Sequence, residues 1–157
     1  MSDYSAPVKD MHFVLHELAG LDAVLQLPGC EDVSADLVDA ILEEGSKFAN
    51  GILAPLNQTG DKEGARLENG EVTTAKGWKS AYRQFADAGW TAVSGDPEYG
   101  GQGLPSLIST TLSEMWKSAN MAFSLCPMLT NGAIEALSYR GSDELKSTFL
   151  ARMMSGE

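Results

Sequence analysis

Residues 34–53 read SADLVDAILEEGSKFANGIL, and the spacing within them decides the fold. Leu37, Val38, Ile41, Leu42, Gly45, Phe48, Ala49, Ile52 and Leu53 recur in the i, i+3, i+4, i+7 pattern of one helical face. Ser34 stands at the N-cap position, where its hydroxyl can accept one of the first unpaired amide protons. The opposite face holds Asp36, Asp39, Glu43, Lys47 and Asn50, a solvated stripe with Glu43 and Lys47 placed to pair four residues apart. That charge run needs no functional reading.

The same period extends in both directions. Between Pro7 and Ala19, Met11, Leu15 and Leu18, with Phe13 and Val14 beside them, predict an amphipathic helix that Gly20 stops. From Pro55 to Thr74 the period is lost while Gly60, Gly64 and Asn69-Gly70 accumulate, which predicts a long connection with a small hairpin at Asn69-Gly70. Thr74 then caps a helix with Trp78, Ala81, Tyr82, Phe85 and Ala88 on one face, closing at Gly89. An irregular glycine-rich loop comes next, up to Leu104. Pro105 suits the first turn of a helix whose apolar face is Leu107, Ile108, Thr111, Leu112, Met115 and Ala119. Asn120 to Tyr139 reads as another helix, kinked or starting late because Pro127 cannot donate within it. Ser142 caps a last segment with Leu145, Phe149 and Met153 inward. The expected fold is all-α, a helical bundle of about six helices with no strand of ordinary length.

At 157 residues the chain has the size of one domain, and 43% apolar against 21% charged residues is a globular composition. Eleven basic and twenty-two acidic residues give a net charge of -11, which repels nucleic acid backbones and anionic membrane surfaces. The start, MSDYSAPVKD, lacks the basic and apolar regions of a secretory signal, and no apolar run reaches the ~20 residues of a membrane span. Cys30 and Cys126 form no metal-ligand pattern and read as free thiols of a reducing compartment, so the cytoplasm is the expected location.

Four patterns invite functional readings. His12 and His16 have a spacing that can place two imidazoles on one metal, but no third ligand is visible, and surface or half-buried histidines are the simpler reading. Thr59, Asp61, Glu63 and Gly64 resemble the opening of a calcium loop, yet its twelfth position is Gly70 where a bidentate carboxylate is required. Gly100-Gly101-Gln102-Gly103 lacks the preceding strand that makes such glycines a phosphate cradle, so a tight loop is expected. Cys126, among Phe123, Leu125, Met128 and Leu129, reads as a small core residue rather than a nucleophile.

The combination of motifs is more specific than any one of them. Gly89-Trp90 followed by Asp96-Pro97-Glu98-Tyr99-Gly100-Gly101-Gln102-Gly103-Leu104-Pro105 resembles the GW…PEEYGGxG segment of acyl-CoA dehydrogenases. Ser113-Glu114-Met115, Ser118-Ala119-Asn120, Gly132-Ala133-Ile134 and Gly141-Ser142-Asp143-Glu144-Leu145-Lys146 come after it in that family's order and spacing. Upstream, residues 6–15 and Ala54-Pro55-Leu56-Asn57 resemble a subgroup with an amino-terminal extension, which includes enzymes acting on 3-methylthiopropanoyl-CoA.

The resemblance implies that residues 1–33 are the extension and residues 34–157 the amino-terminal helical domain of such an enzyme. In the family this domain is succeeded by a β-domain opening on a TEPxAGSD-like motif and a carboxy-terminal bundle bearing the glutamate base, and neither is expected here; the chain reads as a piece ending at a domain boundary. It further implies FAD and an acyl-CoA substrate for the parent enzyme, an electron acceptor and a homo-oligomer, with no flavin bound to this piece alone. Ser124, Leu125 and Met128 fall where the family lines the acyl chain, although ordinary interhelical core is an equal reading of the same three residues. No catalytic residue is assigned. Two other readings stay open: a stand-alone helical binding module without catalysis, and a flavin-free relative that binds acyl-CoA unchanged.

Overall fold

The computed structural model describes residues 4–157. Its first helix, α1 (Val8–Phe13), runs into a π-helical turn (Val14–Leu18), succeeded by a short α2 (Leu21–Val24). Helix α3 (Ala35–Phe48) continues through a second π-turn (Ala49–Leu53) into α4 (Ala54–Glu63). Strands β1 (Arg66–Glu68) and β2 (Glu71–Thr73) form a hairpin, and α5 (Trp78–Asp87), α6 (Ser106–Ala119), α7 (Met121–Arg140) and α8 (Asp143–Ser155) complete the bundle. The all-α reading holds, with one small antiparallel pair added.

Helix α3 begins where its sequence says, with the Ser34 hydroxyl accepting the Leu37 N–H at 3.2 Å. It packs on α6 at Gly45, where a Cβ would stand 2.5 Å from the Leu112 side chain, so the missing methyl sets how closely the helices approach. Val38, Leu42, Ile108, Leu112 and Met115 are fully buried between them. Phe48, Phe85, Trp116 and Phe123 add an aromatic cluster, its rings tilted or edge-on at 5.6–5.9 Å. Met11, Leu15 and Leu21 belong to the same core, so the amino-terminal segment has none of its own.

The polar stripe of α3 is more engaged than its pattern suggests. Lys47 pairs with Glu44 at 2.6 Å rather than with Glu43, and that carboxylate holds the ammonium's pKa above its ordinary value. Asn50 accepts the Ala6 N–H at 2.8 Å and ties the amino-terminal segment down.

Three differences from the sequence reading have plain causes. Leu18 is exposed although it shares an α-helical face with Met11 and Leu15, because the π-turn inserts a residue and rotates the chain beyond it. Residues 54–63 are helical rather than a loose connection: Pro55 sits in the first turn, where it is tolerated, and Gly60 makes room for the Trp78 ring. Helix α5 is preceded not by a Thr74 cap but by Gly77 at φ +90°, a left-handed conformation open to glycine. The expected hairpin does form, with Asn69 and Gly70 both at positive φ as a tight turn of this kind requires.

Candidate functional site

Asn120 is the one residue between α6 and α7, and it fixes how α7 leaves the core. Its fully buried side chain accepts the Phe123 N–H at 3.0 Å, as an N-cap, and donates to the Leu53 carbonyl at 3.2 Å. Its own carbonyl accepts the Ser124 hydroxyl at 3.0 Å. A buried amide with both ends satisfied therefore joins the end of the α3 π-turn to the start of α7. Helix α7 then runs unbroken from Met121 despite Pro127, so it does not start late.

This anchoring turns the predicted site residues in two directions. Ser124 is 4% exposed and faces the core, whereas Leu125 and Met128 are 47% and 41% exposed. With Met121 and Leu129 these two make an apolar strip along the outer side of α7, while Phe123, Pro127 and Ile134 hold its inner side. Cys126 is exposed too, rather than in the core, because α7 is apolar all round and only one of its faces meets the bundle. It lies close to the half-buried Tyr82, whose pKa is raised by burial and by that thiol.

Helix α8 also leaves apolar side chains in solvent. Its inward residues are Leu150 and Met154, which pack with Ala92 and Ile134, and Thr91 donates to the Met154 carbonyl at 2.6 Å. Leu145 and Phe149, expected inward, are exposed as a result.

The glycine-rich loop is closed on itself. The N–H groups of Gly101, Gln102, Gly103 and Leu104 donate to the carbonyls of Asp96, Ala92, Gly95 and Val93 at 2.9–3.0 Å. The Gln102 side chain donates to the Gly89 carbonyl at 2.7 Å, and a Cβ at Gly101 would overlap the Gly95 backbone. Those amides are committed, so the loop does not fit the diphosphate of a dinucleotide. The glycines serve a tight backbone crossing, as their isolated pattern suggests.

The remaining candidates separate. Thr59, Asp61 and Glu63 lie on α4 rather than in one loop, and Glu63 accepts the Lys76 N–H at 3.0 Å. His12 and His16 are half-buried and stacked, and both face Asp39 of α3, a partner that sequence spacing left in the solvated stripe. Asn120 was legible only as the start of a helix, although asparagine ahead of an apolar run is itself a cap signal. Among the described residues no helix is long and apolar enough to cross a membrane.

A family model described as "Acyl-CoA dehydrogenase, N-terminal domain" matches residues 36–157, from α3 to the end of the chain. The chain belongs to the acyl-CoA dehydrogenase family. It is 44% identical over 153 residues to a 3-methylmercaptopropionyl-CoA dehydrogenase of Ruegeria pomeroyi, covering 98% of this chain and 26% of that protein. A butyryl-CoA dehydrogenase of Syntrophomonas wolfei is 28% identical over 159 residues, 99% of this chain and 26% of that one. A broad-specificity linear acyl-CoA dehydrogenase of Mycobacterium tuberculosis is 30% identical over 124 residues, 78% of this chain and 20% of the relative. The chain thus spans about a quarter of the length of the first two relatives. The all-α architecture and the motif run from Gly89 to Lys146 are those of this family's amino-terminal domain.

Proposed function

We propose that the chain is the amino-terminal helical domain of an FAD-dependent enzyme that desaturates an acyl-CoA thioester between its α and β carbons, and that α7 forms part of the acyl-pocket wall. Residues 1–33 are the extension of this domain and residues 34–157 its body. The observation that carries the reading is the outer strip of α7: Met121, Leu125, Met128 and Leu129 are apolar and 41–70% exposed on a well-anchored helix. An acyl tail gains chiefly by leaving water, so a strip of this chemistry suits it. Leu125 and Met128 touch the chain in this arrangement, and Ser124 sets the depth of the wall from behind, its hydroxyl held by the Asn120 carbonyl.

Desaturation needs a carboxylate to take the α-proton and an acceptor for the β-hydride, and no amino-acid side chain accepts hydride. FAD supplies that acceptor when bound, held by other parts of the full-length polypeptide, with the Asp96–Gly103 loop packing near it. The 157 residues alone are inert toward acyl-CoA on this reading. The parent passes its electrons to an external acceptor and works as a homo-oligomer in the cytoplasm.

The test is chain-length preference. In the full-length enzyme, Leu125→Trp narrows the wall without disturbing the core and should lower kcat/KM for the longest accepted acyl-CoA more than for the shortest; equal changes across the series would remove α7 from the pocket. A second reading, a helical binding module, draws on the same exposed strip. A reading frame that continues past Glu157 into a TEPxAGSD-like strand region favours the enzyme, and a stop codon there favours the module.

A further inference from the structure

We propose that His12, His16 and Asp39 form a site for a divalent transition metal of the zinc class, joining α1 to α3. His12 Nδ1 lies 3.0 Å and His16 Nε2 3.6 Å from the same Asp39 Oδ1, and the three ligand atoms all lie within 4.8 Å of one another. Four ligands at zinc's preferred distances of ~2.0–2.2 Å stand about 3.3–3.6 Å apart in a tetrahedron, so the His16–Asp39 edge at 3.6 Å is already of that size and the His12–Asp39 edge at 3.0 Å has only to widen slightly.

A second observation points the same way. Asp39 Oδ1 is buried and accepts no hydrogen bond, although two imidazole nitrogens lie beside it. Two imidazole nitrogens beside one carboxylate oxygen need a cation between them, either a proton carried by an imidazole or a metal ion. The imidazoles are parallel within 6°, with centroids 5.7 Å apart, so both offer a nitrogen on the side of α3. The π-turn from Val14 assists, because its wider winding brings positions i and i+4 closer to one line than an α-helix does.

The frame around the trio is firm. Met11 and Leu15 are buried on either side of His12, Ala6 is tied to Asn50, and Tyr4 donates to the Met115 carbonyl at 3.3 Å. The three side chains are 29–41% exposed, which leaves room for water as a fourth ligand. Two imidazoles and one carboxylate suit zinc and its neighbours, whereas calcium and magnesium require more oxygen ligands than are present. The site would clamp the amino-terminal segment to α3 rather than take part in acyl chemistry.

Titration of the metal-free protein with Zn2+ alone, monitored by calorimetry, and with Co2+, monitored by visible absorption, tests this. The expected result is one saturable equivalent with the tetrahedral Co2+ spectrum, and a metal-dependent rise in Tm. Asp39→Asn and His16→Gln should each weaken Zn2+ binding by more than about 10-fold and abolish the Tm rise, since loss of an outer partner alone costs 10–100-fold. Glu17→Gln, an exposed neighbour, should leave both unchanged. Absence of a saturable equivalent, or affinity that survives both Asp39→Asn and His16→Gln, overturns the site and leaves the trio an ion pair formed by protonated histidine.

Discussion

Helices α6 and α7 are separated by a single residue, and both are rich in apolar side chains, yet they meet opposite fates. On α6 the apolar residues form one stripe, and Ile108, Leu112 and Met115 are fully buried against α3. On α7 they surround the helix, so Phe123, Pro127 and Ile134 satisfy the bundle while Leu125, Met128 and Leu129 remain in solvent. A stripe specifies its own burial, whereas a helix apolar all round needs a second apolar neighbour. That difference separates the residues that hold this domain together from those that it leaves in solvent.

The contrast is broken most severely at Leu112. Replacing it by Ala opens a cavity at the α3–α6 contact and should cost about 2–5 kcal/mol by denaturant unfolding. Asn120→Ala removes the cap of α7 and leaves the Leu53 carbonyl without its donor, so about 2 kcal/mol is expected in the same measurement. Thr91→Val, which deletes the bond to the Met154 carbonyl, should cost about 1 kcal/mol and loosen α8, visible as faster amide exchange there. Leu129→Gln belongs at the bottom of this order. Its side chain is 70% exposed, and a change within about 0.5 kcal/mol is expected. A large loss there would mean that the outer face of α7 carries stability in this chain.

The same contrast explains what could be read from the sequence. Helix α3 and its Ser34 cap were legible because period and cap agree, and the Asn69-Gly70 hairpin because its turn demands positive φ. The family was legible in the glycine-rich loop, whose close backbone crossing at Gly101 accepts little else. The π-turns were not, since an inserted residue leaves the apolar period looking continuous while it rotates Leu18 into solvent. The inward face of α8 was misread in part for a related reason: Leu145 and Phe149 continue as good a stripe as Leu150 and Met154, and only tertiary contact with Ala92 and Ile134 chooses between them, while Met153 does pack half-buried against that cluster. The likeness to the family placed Ser124, Leu125 and Met128 together, but the Asn120 anchor divides them between core and surface. Asp39 beside the two histidines is a contact between helices, which spacing along one chain does not encode.

If α7 is a pocket wall, its outer face is covered in the parent enzyme, and Cys126 reports on that cover directly. It is exposed on that helix, while Cys30, the other thiol, is buried. Labelling with a small thiol reagent should modify Cys126 readily in the 157-residue chain and much more slowly in the full-length polypeptide, with acyl-CoA slowing it further. Equal rates in the two, unaffected by acyl-CoA, would contradict the assignment of α7 to a pocket wall.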